Sequence, residues 1–263
     1  MSVAAAIFAL FSLLLPQEVV TALRHPVSGG GSTPSVLAAN CHTLVSTAAT
    51  SGTCVFTGAV GAGDLIIAYA NSFESGCSGA LAGTVDDNIN TGLYTVITAH
   101  SDGTNCQQGQ YFYFPNSVAG TPTLTFCNGS LSGATCTGGT AVPWTLNAIA
   151  CHLCATTSLL DAGPLYGPNI GAGVTTVTSP SITTVHATAV LVSAVAETTS
   201  SSGVANMGSP IAVGSPWVVS STSTSNGVLA TQVVTSTNTY TGAVWTWQFA
   251  SGPIDSTIAF KGQ

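Results

Sequence analysis

Charge is what this sequence has least of. Only 4% of its 263 residues are Asp, Glu, Lys or Arg, where an ordinary soluble domain has about a quarter. Basic residues number two, Arg24 and Lys261. Two cations cannot neutralise a phosphate backbone, and nucleic-acid binding depends on that neutralisation. Attraction to anionic lipid headgroups fails for the same reason. Long apolar runs are also missing. The longest, Val3 to Leu15, is stopped by Pro16, Gln17 and Glu18, short of the about 20 residues a spanning helix needs. No membrane span is expected. Catalytic signatures are absent as well. There is no G-x-S-x-G elbow, and His25, His42, His100, His152 and His186 are scattered outside any H-E-x-x-H spacing.

What is present begins with a short apolar leader. Ala4 to Leu15 has the length of a signal-peptide h-region, and Val20-Thr21-Ala22 supplies small residues for cleavage, although no basic n-region precedes it. Residues 1–22 are read as a signal peptide. Its removal takes Glu18 away and moves the net charge from −7 to −6. Residues 23–40 combine Gly29, Gly30 and Gly31 with Pro26, Pro34 and several serines, a composition that suits a flexible tether. The expected address is secreted, extracellular or cell-surface. All eight cysteines follow the leader: Cys41, Cys54, Cys77, Cys106, Cys127, Cys136, Cys151 and Cys154. An even count in an exported chain predicts disulfides, but eight cysteines allow 105 pairings and the connectivity stays open.

From Cys41 onward, short runs rich in Thr, Val and aromatic residues recur between Gly, Pro, Asn and Ser. β-Branched residues suit pleated, half-buried surfaces. Val244-Trp245-Thr246-Trp247-Gln248-Phe249 alternates with period two, placing Trp245, Trp247 and Phe249 on one face, which is read as the inward one. Leu65-Ile66-Ile67-Ala68-Tyr69 is apolar throughout and suits a central strand. No stretch after Ala22 holds a helical period. About twelve such runs indicate a sandwich or barrel. The expectation is an all-β, antiparallel, disulfide-bonded sandwich over 41–263 as a single domain.

The order of segments resembles a widespread class of secreted bacterial β-sandwich surface modules. The matching stretches are GDLIIAYANS (63–72), VDDNINTGLYT (85–95), YFPNSVAGTPTLTF (113–126), SLLDAG (158–163), AVLVSAVAE (189–197) and STIAFKG (256–262). The resemblance implies a jelly-roll-like fold outside the cell, concerned with surfaces, adhesion or glycans. It supplies no reaction.

Four groups of residues compete as sites. Asp86, Asn88 and Asn90 have the one-three-five spacing that opens a calcium loop, but Thr91 and Ile97 occupy positions where that loop requires Gly and Glu. A plain Asx-stabilised turn is the favoured reading. Cys151 and Cys154 would lie about 10 Å apart on an extended strand, beyond the about 7 Å that a disulfide spans. Each therefore needs a different partner, or the chain turns between them. Zinc held by Cys127, Cys136, Cys151 and Cys154, or redox chemistry at C-x-x-C, are the weaker readings. Among nine acids, Glu74, Asp102, Asp161 and Glu197 are the candidates for a glycosidase pair, with solvated turns as the plainer role. Tyr111, Phe112, Tyr113 and Phe114, or Trp217, Trp245 and Trp247, offer rings for sugar stacking, against ordinary core packing. Tyr111, Tyr113 and Trp217 are taken as the ligand-contacting candidates. The favoured function is a non-enzymatic module binding carbohydrate or a cell-envelope polymer. The alternatives are a fibre or sheath subunit that self-assembles by strand addition, with 23–40 as the donated segment, and a hydrolase of an extracellular polymer.

Overall fold

The computed structural model describes residues 32–73, 83–133, 135–168, 170, 173–197, 207–208, 210–221 and 226–263. Over these residues the chain is all-β, and its sheets are antiparallel. The leader 1–22 and the tether residues 23–31 lie outside the described residues.

The first eleven strands are β1 (Ser35–Ala49), β2 (Ser51–Val55), β3 (Leu65–Phe73), β4 (Thr84–Asp87), β5 (Thr95–Val96), β6 (His100–Asp102), β7 (Gln107–Phe114), β8 (Thr123–Cys127), β9 (Ser130–Ser132), β10 (Thr135–Thr137) and β11 (Val142–His152). The remaining ten are β12 (Leu160–Tyr166), β13 (Val174–Thr178), β14 (Ile182–Thr183), β15 (Ala189–Ala196), β16 (Ala212–Val213), β17 (Val218–Val219), β18 (Gly227–Val234), β19 (Thr239–Tyr240), β20 (Val244–Ser251) and β21 (Ile254–Lys261).

These strands repeat one topology twice. In the first half a large sheet runs β1-β11-β3-β7-β5 and a small one β2-β8-β4; in the second, the large sheet runs β12-β21-β15-β18-β17 and the small one β13-β20-β16. With the shared strands counted one to eight along each half, both halves read 1-8-3-6-5 and 2-7-4. That is the interleaving of a jelly roll, with the fifth strand paired to the edge of the large sheet. Strand β6, the β9–β10 hairpin and the β14–β19 pair are local additions. Ser32–Gln263 form one compact unit, but that unit is two jelly rolls where the sequence suggested one sandwich.

The rolls pack through their large sheets, giving a four-layer stack with three apolar layers. One, including Ile66, Phe112, Phe126 and Trp144, fills the first roll. The middle one joins Leu65, Ile67, Tyr69 and Ile149 to Val190, Val192, Leu229 and Phe260. The third, with Leu191, Ala230, Trp245 and Trp247, fills the second roll. Both faces of each large sheet are therefore covered. This is why β15 is buried at every position and β11 at all but His152, and why their sequences run apolar instead of alternating. Across the middle layer β11 meets β18 and β7 meets β21, the eighth strand of each roll against the sixth of the other, as an approximate two-fold axis requires.

Three disulfides have described partners. Cys41–Cys54 ties β1 to β2 with Cα atoms 5.7 Å apart, and Cys127–Cys136 ties β8 to β10 at 5.5 Å. Cys106 is also disulfide-bonded, whereas Cys77 lies outside the described residues; among the described residues no cysteine is free. Cys151–Cys154 takes the turning alternative: Leu153 adopts φ 58°, and the Cα atoms close to 5.7 Å. The turn sends the inter-roll linker onto the last strand, where Ala155 N donates to Lys261 O and Lys261 N to Leu159 O. Several disulfides in one chain indicate an oxidising, extracellular environment.

The tether expected over 23–40 stops short of Asn40, because Ser35–Asn40 already belong to β1 and Ser35 pairs with His152. Small residues and serine fit a strand when a neighbour supplies the ladder. Register shifts between Val36 and Asn40 and between Val45 and Ala49 hid the alternation of this strand. Among the described residues no helix is long and apolar enough to cross a membrane.

Candidate functional site

An open cleft of about 860 Å³ lies where β1, an edge strand of the first large sheet, comes alongside β17 and β18 at the edge of the second. Its polar lining is Thr33, Ser35, Asn40, Ser220, Thr231 and Gln232; its apolar lining includes Pro34, Val36, Leu37, Val218 and Val233. Val218 is 63% exposed and Val233 39%. Among the described lining residues there is no ionisable or aromatic side chain. The approximate two-fold axis pairs this cleft with the junction of β12 and β5, and there Tyr166 closes the gap. Its hydroxyl donates to Thr98 O at 2.9 Å, and its ring stacks on His100 at 4.5 Å.

One step inward along both flanking strands, past Asn40 and Ser220, sits a polar junction between the rolls. His42 Nδ1 is 2.8 Å from Asn147 Oδ1, and Ser221 Oγ donates to the same oxygen at 3.3 Å. Ser221 in turn accepts from Leu229 N at 2.8 Å. Burial lowers the His42 pKa, and the bond to Asn147 offsets part of that shift. The ring is therefore neutral at pH 7 and donates from Nδ1 to the amide oxygen. Register carries the row inward: His42 faces Asn147, Asn147 faces Tyr69, and Tyr69 faces Tyr111. Tyr111 OH lies 2.9 Å from Ser256 Oγ of the other roll. Burial holds both tyrosines protonated. Ser221 donates its proton to Asn147, and among the described residues no carboxylate hydrogen-bonds to the row. What it does chemically is register one roll on the other. Its members lie far apart in sequence, and no local motif marked them.

The aromatic candidates are mostly structural. Tyr111 is fully buried with its ring centroid 4.7 Å from Tyr69, and Tyr113 is half-buried, edge-on to Phe260. Trp217 is 5% exposed and donates Nε1–H to Thr241 O. Tyr111 and Trp217 thus present no ring face to a glycan, since the hydroxyl and indole N–H that suited them to a wet surface find partners inside. Trp245 and Trp247 face inward as expected, but Phe249 is 50% exposed. The N–H groups of Gln248 and Phe249 both donate to Met207 O, a bulge that breaks the alternation after Trp247.

The calcium candidates separate. Asp86 and Asn88 border a small hollow of about 310 Å³ with Thr123 and Thr125, but Asn90 is turned inward at 8% exposure. Their oxygens accept from backbone amides: Asp86 Oδ1 from Asp87 N, Asn88 Oδ1 from Thr123 N at the start of β8, Asn90 Oδ1 from Val118 N. The hub is Asp87, which accepts from Ile89 N, Asn90 N and Tyr94 OH. Among the described residues no group of three or more His, Cys, Asp or Glu is placed to hold a metal.

The acid candidates do not form a described pair. Asp102 accepts from Thr104 N and Asn105 Nδ2, and Asp161 from Val185 N and from His186 N and Nδ1. Glu197, 6% exposed, accepts from Gly252 N, and burial raises its pKa. Glu74 lies outside the described residues. The acid that the sequence reading missed is Asp255, 1% exposed between Ile254 and Ser256 on β21. Comparison with protein-family models, curated proteins and solved structures finds no match.

Proposed function

We propose that this protein is an exported, non-enzymatic binding module whose site is the β1–β17 cleft and whose ligand is an uncharged, hydroxyl-rich polymer of the carbohydrate or cell-envelope class. The observation that carries this reading is the contrast between the two related clefts, one closed by Tyr166 and one open. The open one offers hydroxyls, amides and aliphatic side chains, with no ionisable group among its described lining residues. Such a lining pairs with ligand hydroxyls by hydrogen bonding and with apolar ring faces by contact, and it gives a charged polymer nothing to pair with. The short apolar leader and the disulfides support export. The test is retention on insoluble neutral glycans. Gln232→Ala, at a half-buried position on the cleft wall, is expected to weaken retention at least tenfold and leave the melting midpoint in place; unchanged retention would remove the cleft from the reading.

A second reading draws on the same cleft, because both strands that flank it are sheet edges. Edge strands template strand addition, and a subunit assembling in this way would place a strand from a second copy there. Since Ser35–Asn40 already pair within their own roll, the donated residues reduce to those before Ser35. Concentration-dependent filaments in negative stain would favour this reading over the first.

A further inference from the structure

The scarcity of cations meets a buried carboxylate in the second jelly roll. Asp255 is 1% exposed, and among the described residues its carboxylate has no partner beyond the Ser179 hydroxyl. It pairs with Val195 of β15 and shares that residue's face of the large sheet, beneath the small sheet. Thr257, two positions on and so on the same face, is fully buried with Oγ1 unpartnered among the described residues. The carboxylate is lodged against β12's exit: Gly167 N donates to Asp255 O, and a Cβ at Gly167 would collide with Oδ1. Ser179 adjoins it, and Ser179 Oγ is where Trp245 Nε1 and Ser193 Oγ converge, at 3.1 Å each. The group therefore sits at the joint that fastens the outer sheet to the inner one.

Among the described residues no cation reaches this joint. Lys261, on the same strand, is six residues away, about 20 Å at strand rise, and Arg24 lies outside the described residues. The ionisable groups around Asp255 are Tyr166 of β12, Tyr69 and Tyr111 of the facing roll, and Glu197 beyond β15. All four are kept neutral or pushed towards neutrality by burial. Strands β13, β16, β18 and β20 contribute none. His100, stacked on Tyr166, has its own pKa lowered by burial. A carboxylate in this setting carries a desolvation cost that the Ser179 hydroxyl offsets only in part.

We propose that Asp255 is an acid latch: as the neutral carboxylic acid it lets the outer sheet of the second roll close, and as a carboxylate it loosens that joint. Burial pushes its pKa up from 3.8 to about 6. The folded chain keeps this proton up to about pH 6, and the unfolded chain gives it up near 3.8. Between those values the folded state binds more protons, so stability falls as pH rises. Glu197, shifted in the same direction, adds to the slope.

The full chain, melted between pH 4 and pH 8 in the presence of EDTA, is expected to lose roughly 5–10 °C in midpoint between pH 4 and about pH 6 and little beyond. Asp255→Asn is expected to remove most of that loss and to match or exceed the native midpoint at pH 8. An Asp255→Asn variant that keeps the native pH profile would overturn the latch. Carboxyl NMR on the native chain gives a reading that does not depend on the variant folding. A midpoint near 6 for Asp255 supports the proposal, and one below 4.5 overturns it. Calcium raising the native midpoint at pH 8, but not that of Asp255→Asn, would make the carboxylate a cation ligand and overturn the latch equally.

Discussion

Trp245 and Ser193 join the two sheets of the second jelly roll, the indole Nε1 on β20 lying 3.2 Å from the hydroxyl oxygen on β15. The same N–H reaches Ser179 Oγ at 3.1 Å, so one buried donor is shared between two acceptors. Ser193→Ala leaves the indole its second acceptor. Ser193 Oγ also donates to Ser179 Oγ and Ser256 O, so the expected cost is about 2 kcal/mol, the net worth of two neutral hydrogen bonds, read from denaturant midpoints at constant slope. A loss above about 3 kcal/mol would mean that Ser179 cannot hold the indole alone.

Trp247 and Phe249 should behave oppositely despite their shared position in the alternating run. Trp247 is 6% exposed and Phe249 50%. Trp247→Ala is expected to cost roughly 3–5 kcal/mol through lost burial and a residual cavity. Phe249→Ala should stay within about 0.5 kcal/mol. Thermal melts of the two variants side by side would check both, and equal losses would contradict the bulge at Gln248.

Tyr166 closes the cleft that has no ligand role in the proposed function. Tyr166→Phe removes the hydrogen bond to Thr98 O and is expected to cost about 1 kcal/mol. Tyr166→Ala is expected to cost more and to uncover a second groove. If the open cleft is the polymer site, its occupancy should be unaffected by either change. Calorimetry with a soluble glycan reads this directly, and weakened binding in Tyr166→Phe would tie the two clefts together.

His42 gives the pH profile a slope of the opposite sign to Asp255. Its folded pKa lies below 6.5, so as pH falls through 6.5 the unfolded chain takes up the proton first. Stability attributable to His42 is complete above about 6.5 and is lost as pH falls towards the depressed value. His42→Gln keeps a donor for Asn147 and should flatten that acid-side loss. A native profile that is unchanged by the substitution would show that His42 does not titrate on unfolding.

Disulfide removal should act on one roll. All eight cysteines precede Ala155, and the second roll is folded without one. Cys41→Ser with Cys54→Ser opens a loop with a sequence separation of 13 and is expected to cost about 2–4 kcal/mol. Amide exchange should rise in β1 and β2 and leave β15 and β21 protected; uniform loss of protection would mean that the rolls unfold as one.

Much of this fold was legible in the sequence because its physics is local. β-Branched runs between turn residues gave the all-β class, and apolar runs such as Leu65–Ala68 marked strands covered on both faces. The doubling was not legible. Corresponding central strands carry Leu65-Ile66-Ile67 in one roll and Val190-Leu191-Val192 in the other, with loops and additions of unequal length between them, so no period appears. Strand β1 was hidden by residues that also suit a tether, since its order comes from β11 and not from its own composition. The turn at Leu153 needs a positive φ that leucine does not announce. The His42–Asn147 contact spans 105 residues, and Asp255 reads as an ordinary polar position until the second sheet is laid over it.

The tandem arrangement has a consequence for how such a protein can change. In a dimer of identical rolls, any residue that plugs one edge cleft plugs both, so recognition and closure cannot be divided between them. Joining the rolls in one chain removes that constraint. Tyr166 seals one junction while Thr33–Asn40 line the other, and a substitution in either place no longer has a twin. A pair of equal surfaces becomes one that holds the assembly together and one that is free to meet something else.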